Sequence, residues 1–97
     1  MSETALVGIA WFEAEDYDQL RAGFDDGDKL QDTYQEWLED AQRVFENVQL
    51  AGHRAEKVPI RLAEFSLWCQ IKGIPMDASA RSMYASEAVR MGRPDTH

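Results

Sequence analysis

An eight-residue apolar segment near the start of the chain, ALVGIAWF at residues 5–12, constrains the fold more than any other feature. Side chains alternate between the two faces of a strand, so Val7, Ile9 and Trp11 share one face. Gly8 lies on the other face, where its small size allows close packing. A strand that is apolar on both faces is typical of the interior of a sheet. The sequence therefore predicts that residues 5–12 are covered on both sides.

One other segment has the pattern of a strand. In residues 56–61 the apolar Val58 and Ile60 alternate with Lys57 and Pro59, which predicts a strand with one wet face. Pro59 has no N–H to donate to a neighbouring strand, so we expect this strand at a sheet edge. If the two strands pair, we expect them to be antiparallel, because two helices between them would return the chain to its starting end.

Four segments have helical spacing. The clearest spans residues 33–51, with Asp32 or Thr33 as its N-cap and Gly52 just after its last turn. A shorter helix precedes it, and two more follow residue 61, the last of them capped by Asp77. The long helix carries an apolar stripe that should pack on the sheet, made of Tyr34, Trp37, Leu38, Ala41, Val44, Phe45 and Val48.

The predicted fold class is α+β, in the order β-α-α-β-α-α, with a small sheet of two strands per chain covered by four helices. A chain of 97 residues is short enough for one domain. We expect that domain to span residues 1–92 and residues 93–97 to form a flexible tail.

The two-stranded sheet raises a problem that dimerisation would solve. A two-stranded ribbon is only marginally stable, and the free side of the first strand would expose unpaired backbone groups on an apolar segment. We therefore expect a homodimer in which two copies of residues 5–12 pair antiparallel. The predicted dimer strand residues are Val7, Ile9 and Trp11.

The formal net charge is −8, and it is unevenly distributed. Residues 13–40 hold eleven acids and two bases, whereas residues 53–97 hold five acids and seven bases. The acidic part repels phosphate backbones, so we expect no direct nucleic-acid binding. Two uses for this acidic surface remain open: a protein partner with a basic surface, or inhibition of a nucleic-acid-binding protein by mimicry.

The chain has none of the features of membrane insertion or secretion. Its apolar start is not preceded by basic residues, and no apolar run approaches the ~18 residues that a membrane span needs. The one cysteine, Cys69, cannot form an internal disulfide. We therefore expect a cytoplasmic protein that has no membrane partner.

Candidate catalytic and metal-binding residues are few. Cys69 lies four residues before Gly73, toward the negative end of its helix, so we expect a buried and inert thiol. Zinc requires four ligands, and Cys69, His53 and His97 are too few. The sequence predicts no catalytic residues, no metal and no cofactor. The candidate ligand or interface residues are Trp11, Trp37, Arg81 and Tyr84.

Three motifs resemble those of a family of small uncharacterised bacterial proteins. These are GIAW at residues 8–11, DTYxEWL at residues 32–38, and a later series of Trp-Cys, Gly, Asp and Ala-Arg at residues 68–81. The resemblance spans most of the chain, and it implies no particular activity or site.

These observations favour a non-enzymatic interaction or regulatory module that acts as a homodimer. One alternative is a small-molecule-binding or minor enzymatic domain, with a pocket between the sheet and the last two helices. The other is the acidic mimic of nucleic acid. An enzyme would need converging polar groups in a concave pocket, whereas an interaction module needs an exposed apolar surface.

Overall fold

The computed structural model of the protein describes residues 5–91. It has two strands and four helices in the predicted order, so the predicted α+β fold class is confirmed. The predicted tail at residues 93–97 lies outside the described part of the chain. The elements are β1 (Leu6–Trp11), α1 (Tyr17–Gly23), α2 (Tyr34–Leu50), β2 (Arg54–Pro59), α3 (Leu62–Lys72) and α4 (Ala78–Arg90).

The two strands are parallel, so the expectation of an antiparallel pair is wrong. The register runs from Leu6 opposite Arg54 to Trp11 opposite Pro59. Parallel strands begin at the same end of a sheet, so the segment between them has to return from the carboxyl end of β1 to its amino end.

The reason for the parallel arrangement lies in α1. The ring of Phe12, just after β1, contacts Tyr17 at the first residue of α1 (6.2 Å between centroids) and Phe24 just past its end (5.6 Å). Both ends of the short helix α1 therefore lie near the carboxyl end of β1, and α1 does not carry the chain along the sheet. α2 alone carries the chain back to the amino end, where β2 begins.

The helix ends follow the predicted capping chemistry. The Thr33 hydroxyl accepts a hydrogen bond from the Glu36 N–H (3.2 Å), and Gly52 after α2 has a φ of 93°. Asp77 accepts from the Ala80 N–H at the start of α4 (3.0 Å). β2 begins and ends two residues earlier than predicted.

Aromatic rings form most of the larger of two buried clusters. Trp11 and Trp37 meet edge to face at 5.3 Å, and Phe12 stacks on Trp37 at 4.6 Å. Phe24 meets Phe65 of α3 at 5.7 Å. Contacts of this kind add about 0.5–1.5 kcal/mol each beyond the area that they bury. This cluster joins β1, α2 and α3 at the carboxyl end of the sheet.

Candidate interaction surface

The outer edge of β2 is protected against pairing with another strand. The Arg54 N–H donates to the Ala5 carbonyl (3.0 Å) and the Ile60 N–H donates to the Trp11 carbonyl (2.9 Å). In a parallel pair, successive residues of a strand direct their backbone N–H and C=O groups alternately toward the neighbouring strand and away from it. Because Arg54 and Ile60 donate toward β1, Lys57 and Pro59 direct their backbone groups outward. Pro59 has no N–H and Lys57 is charged and exposed, and both features discourage edge-to-edge association. The predicted edge position of Pro59 is confirmed.

The outer edge of β1 has no such protection. The same alternation directs the backbone groups of Leu6, Gly8 and Ala10 away from β2, and none of them has a backbone partner within residues 5–91. The next outward carbonyl, that of Phe12, accepts a hydrogen bond from the Tyr34 hydroxyl (3.1 Å). The unpaired segment, residues 6–10, contains neither a charge nor a proline, and we call it the open edge.

α4 covers one face of β1 very closely. A Cβ added to Gly8 would lie 2.4 Å from the carbonyl oxygen of Ala85, so only glycine permits this approach. Ala85 and Val89 are buried together with Val58 of β2. The contact leaves no space for a ligand between β1 and α4 at Gly8.

α2 covers the other face less completely than the sequence predicts. Trp37 is the only buried residue of its apolar stripe, and Val44 is 50% exposed. Phe45 contacts both strands, because its ring lies 6.1 Å from the Trp11 ring of β1 and 5.2 Å from the Lys57 ammonium of β2. Val44 precedes Phe45 by one residue, about 100° around the helix, and with the right-handed crossover typical of parallel strands this rotation places it on the side of β1.

Exposed apolar side chains thus lie on both sides of the open edge. Leu6 is 45% exposed on the face that α4 covers, and Val44 lies on the face that α2 covers. Val7 and Ile9 are half-buried beneath α2. Unpaired backbone groups and exposed apolar side chains together are typical of a surface that another chain covers.

The four candidate ligand residues do not line a common cleft. Trp11 and Trp37 are both buried in the aromatic core. Tyr84 is half-buried, and its ring meets Trp68 at 5.3 Å and Phe65 at 5.4 Å. These three aromatic residues therefore contribute to packing.

Arg81 is the buried charged residue of α4, and its partner is Asp26. Two hydrogen bonds join the guanidinium to the carboxylate, and the guanidinium also lies over the Phe24 ring at 4.5 Å. These bonds hold the pKa of the Asp26 carboxyl below its usual value. Sequence reasoning missed Asp26, because nothing distinguishes it from its acidic neighbours Asp25 and Asp28. The ion pair directs both terminal nitrogens of Arg81 at Asp26, so this end of the guanidinium is not available to an anionic ligand.

Cys69 lies in the core, as predicted from its helical face. Burial raises the pKa of its thiol, and the nearby carboxylates of Asp77 and Asp25 raise it further. Within residues 5–91 no group of three or more His, Cys, Asp or Glu side chains could hold a metal ion. In the same part of the chain no helix combines the length and the apolarity that crossing a membrane requires.

The shallow depressions on the surface of residues 5–91 include two that contain aromatic side chains. The one between α3 and α4, about 230 Å³, is lined by Trp68, Ser86 and Glu87 among others. Its carboxylate is already engaged, because Glu87 accepts from the Trp68 indole (2.9 Å) and pairs with Lys72 (3.4 Å). The second, about 320 Å³, lies beside Phe45 and Lys57. Neither contains a nucleophile hydrogen-bonded to a base.

No protein family, no curated protein and no solved structure matches the chain. The likeness to the GIAW-containing bacterial family stays a prediction.

Proposed function

We propose that the protein is a non-enzymatic interaction module that works as a homodimer joined at the open edge. The observation that supports this is the contrast between the two edges of the sheet. Pro59 and Lys57 protect the β2 edge, whereas the open edge is apolar and unpaired. Proteins that do not use an edge normally block it.

The energetics favour pairing at this edge. A two-stranded sheet is marginal, and joining two copies makes a four-stranded sheet of the order β2-β1-β1-β2. Each new backbone hydrogen bond contributes about 0.5–1.5 kcal/mol net. Burial of the exposed part of Leu6 adds to this, at about 25 cal/mol per Å² of apolar surface.

Sedimentation velocity of matched lysine variants tests the homodimer. Leu6→Lys places a charge on the open edge, whereas Leu67→Lys places one on the exposed side of α3, where Leu67 is 58% exposed. We expect the native chain and Leu67→Lys to sediment at about twice 11.1 kDa and Leu6→Lys at 11.1 kDa. Both variants should keep the native circular dichroism spectrum, because both leucines are exposed in the single chain.

Two results would contradict the homodimer. A native chain that sediments at 11.1 kDa at micromolar concentration has no such dimer. A dimer that persists unchanged in Leu6→Lys is held together at another surface.

The same dimer leaves the acidic surface free for a second protein. Exposed carboxylates of Asp18 and Asp28 lie on α1 and just after it, at the carboxyl end of β1. A protein partner with a basic surface fits this chemistry, and its affinity should fall as salt rises. Binding of a lysine-rich peptide, measured by calorimetry at two salt concentrations, checks this. Binding that does not depend on salt would exclude an electrostatic role for these acids.

A further inference from the structure

We infer that the two copies pair antiparallel through β1, in a register centred on Gly8, so that Val7 of one copy lies opposite Ile9 of the other. This inference rests on the proposed homodimer and specifies its geometry.

The extent of the open edge sets the register. Outward backbone groups are unpaired from Leu6 to Ala10, and beyond them the Phe12 carbonyl is occupied by Tyr34. Gly8 is the midpoint of the open edge. Centring the twofold axis there pairs Leu6 with Ala10 and Gly8 with Gly8, which gives about six backbone hydrogen bonds. A shift of the centre by one residue leaves part of the open edge unpaired.

The side chains of the strand complement one another in this register. The larger Leu6 lies opposite the small Ala10 on the face that α4 covers. Val7 and Ile9, both half-buried, meet on the opposite face. The open edge carries no charged residue, so self-pairing brings no like charges directly opposite one another. These features fit a second copy of the same strand.

The charge distribution selects the antiparallel direction. Exposed Glu13 and Glu15 follow the carboxyl end of β1, whereas exposed Arg54 lies beside its amino end, at the start of β2. α4 runs antiparallel to β1, because Arg81 near its start pairs with Asp26 beyond the carboxyl end of β1 and Val89 near its end lies against Gly8. Arg90, the last residue of α4, therefore also lies toward the amino end of β1. Antiparallel pairing puts the acids of one copy next to the bases of the other. Parallel pairing would put like charges together.

Pairing at the open edge also brings the two α4 helices together. Twofold pairing places both α4 helices on one face of the sheet, and packed helices need 8–10 Å between axes. α3 packs on the flank of α4 that carries Tyr84 and Glu87. With the right-handed crossover typical of parallel strands, the opposite flank faces the open edge. Ser82 and Ser86 lie about 200° around α4 from Tyr84, and their exposed side chains are short.

Disulfide trapping tests the register. Val7 and Ile9 form the non-hydrogen-bonded pair of an antiparallel ladder, where Cα atoms lie about 4.5 Å apart and a disulfide can form. Val7→Cys and Ile9→Cys are prepared separately, mixed, and oxidised with glutathione disulfide. We expect the mixture to shift from 11.1 kDa to about twice that mass on a non-reducing gel, with the 7–9 link identified by peptide mass spectrometry. Each variant alone should stay unlinked, as should Val7→Cys mixed with Leu67→Cys.

Other outcomes separate the two proposals. Linkage of Val7→Cys alone, or of Ile9→Cys alone, places the twofold axis at residue 7 or 9 and overturns the register but not the dimer. A dimer by light scattering that links in none of these experiments overturns pairing through β1. A monomer by light scattering contradicts the homodimer and the register together.

Discussion

Arg81 in α4 and Asp26 in the loop after α1 are joined by two hydrogen bonds, of 2.8 and 3.0 Å. A planar guanidinium that binds both oxygens of a carboxylate is the strongest form of such a pair. Asp25 reinforces the contact, because its N–H donates to the Met76 carbonyl and its carboxylate accepts from the Met76 N–H. Together these bonds fix the acidic loop against the start of α4.

Removing the carboxylate should destabilise the fold strongly. Asp26→Ala leaves the buried Arg81 guanidinium without a partner, and we expect the free energy of unfolding to fall by about 3 kcal/mol. Asp32→Ala is the matched control, because Asp32 is exposed and its contact with Arg21 is long, at 3.4 Å. We expect that change to cost at most about 0.5 kcal/mol. Urea unfolding at pH 7 measures both values, and equal losses would show that the Arg81 pair has no special role.

The same ion pair should make stability depend on pH in acid. The folded-state pKa of Asp26 is lower than its ordinary value of 3.8, mainly because of the hydrogen bonds from Arg81. Its contribution is therefore complete above pH 3.8 and is lost as pH falls below that value through the folded pKa. Urea unfolding of the native chain and of Asp26→Asn, from pH 7 to pH 2.5, should give stability curves that converge at the acidic end. Curves that stay parallel throughout would contradict the lowered pKa.

The close contact between Gly8 and Ala85 should make position 8 intolerant of any side chain. Gly8→Ala forces apart two backbones, and we expect a loss of about 1–3 kcal/mol, as for other overpacked sites. Gly23→Ala is the control, because its added Cβ meets only the end of the Leu62 side chain and no backbone atom. Thermal unfolding should show a lower Tm for Gly8→Ala and little change for Gly23→Ala. An unchanged Tm in Gly8→Ala would mean that α4 does not press on β1.

The thiol of Cys69 should be unreactive in the folded protein. It is buried and its pKa is raised, so little thiolate forms and a reagent cannot reach it. Labelling with a chromogenic disulfide reagent at pH 8 should be slow in buffer and fast in guanidinium chloride. Fast labelling in buffer would place the cysteine on an accessible surface.

Local features of the fold were predictable from the sequence, but the direction of the strands was not. Thr33, Gly52 and Asp77 determine helix ends through hydrogen bonds and backbone angles within a few residues, so their roles follow from neighbouring positions. The parallel arrangement depends on Phe12 holding both ends of α1, which no periodicity reveals. The partner of Arg81 lies 55 residues away, among several equivalent acids.

The candidate surface was predictable in part. Pro59 identified one protected edge, and the two-sided apolarity of residues 5–12 indicated that β1 needs further cover. The limits of the open edge were not predictable, because Tyr34 closes it at Phe12 through a contact between distant residues. The exposure of Val44 was not predictable either, because its position in the helical repeat is the same as that of the buried residues of α2.

Amide hydrogen exchange of β1, followed by NMR, tests the pairing of the open edge most directly. The Val7 and Ile9 amides face β2 and should be protected whether or not a dimer forms. The Gly8 and Ala10 amides face outward, so the dimer predicts that they exchange slowly at high protein concentration and faster on dilution or in Leu6→Lys. Rapid exchange of Gly8 and Ala10 at every concentration, with Val7 and Ile9 still protected, would contradict the homodimer.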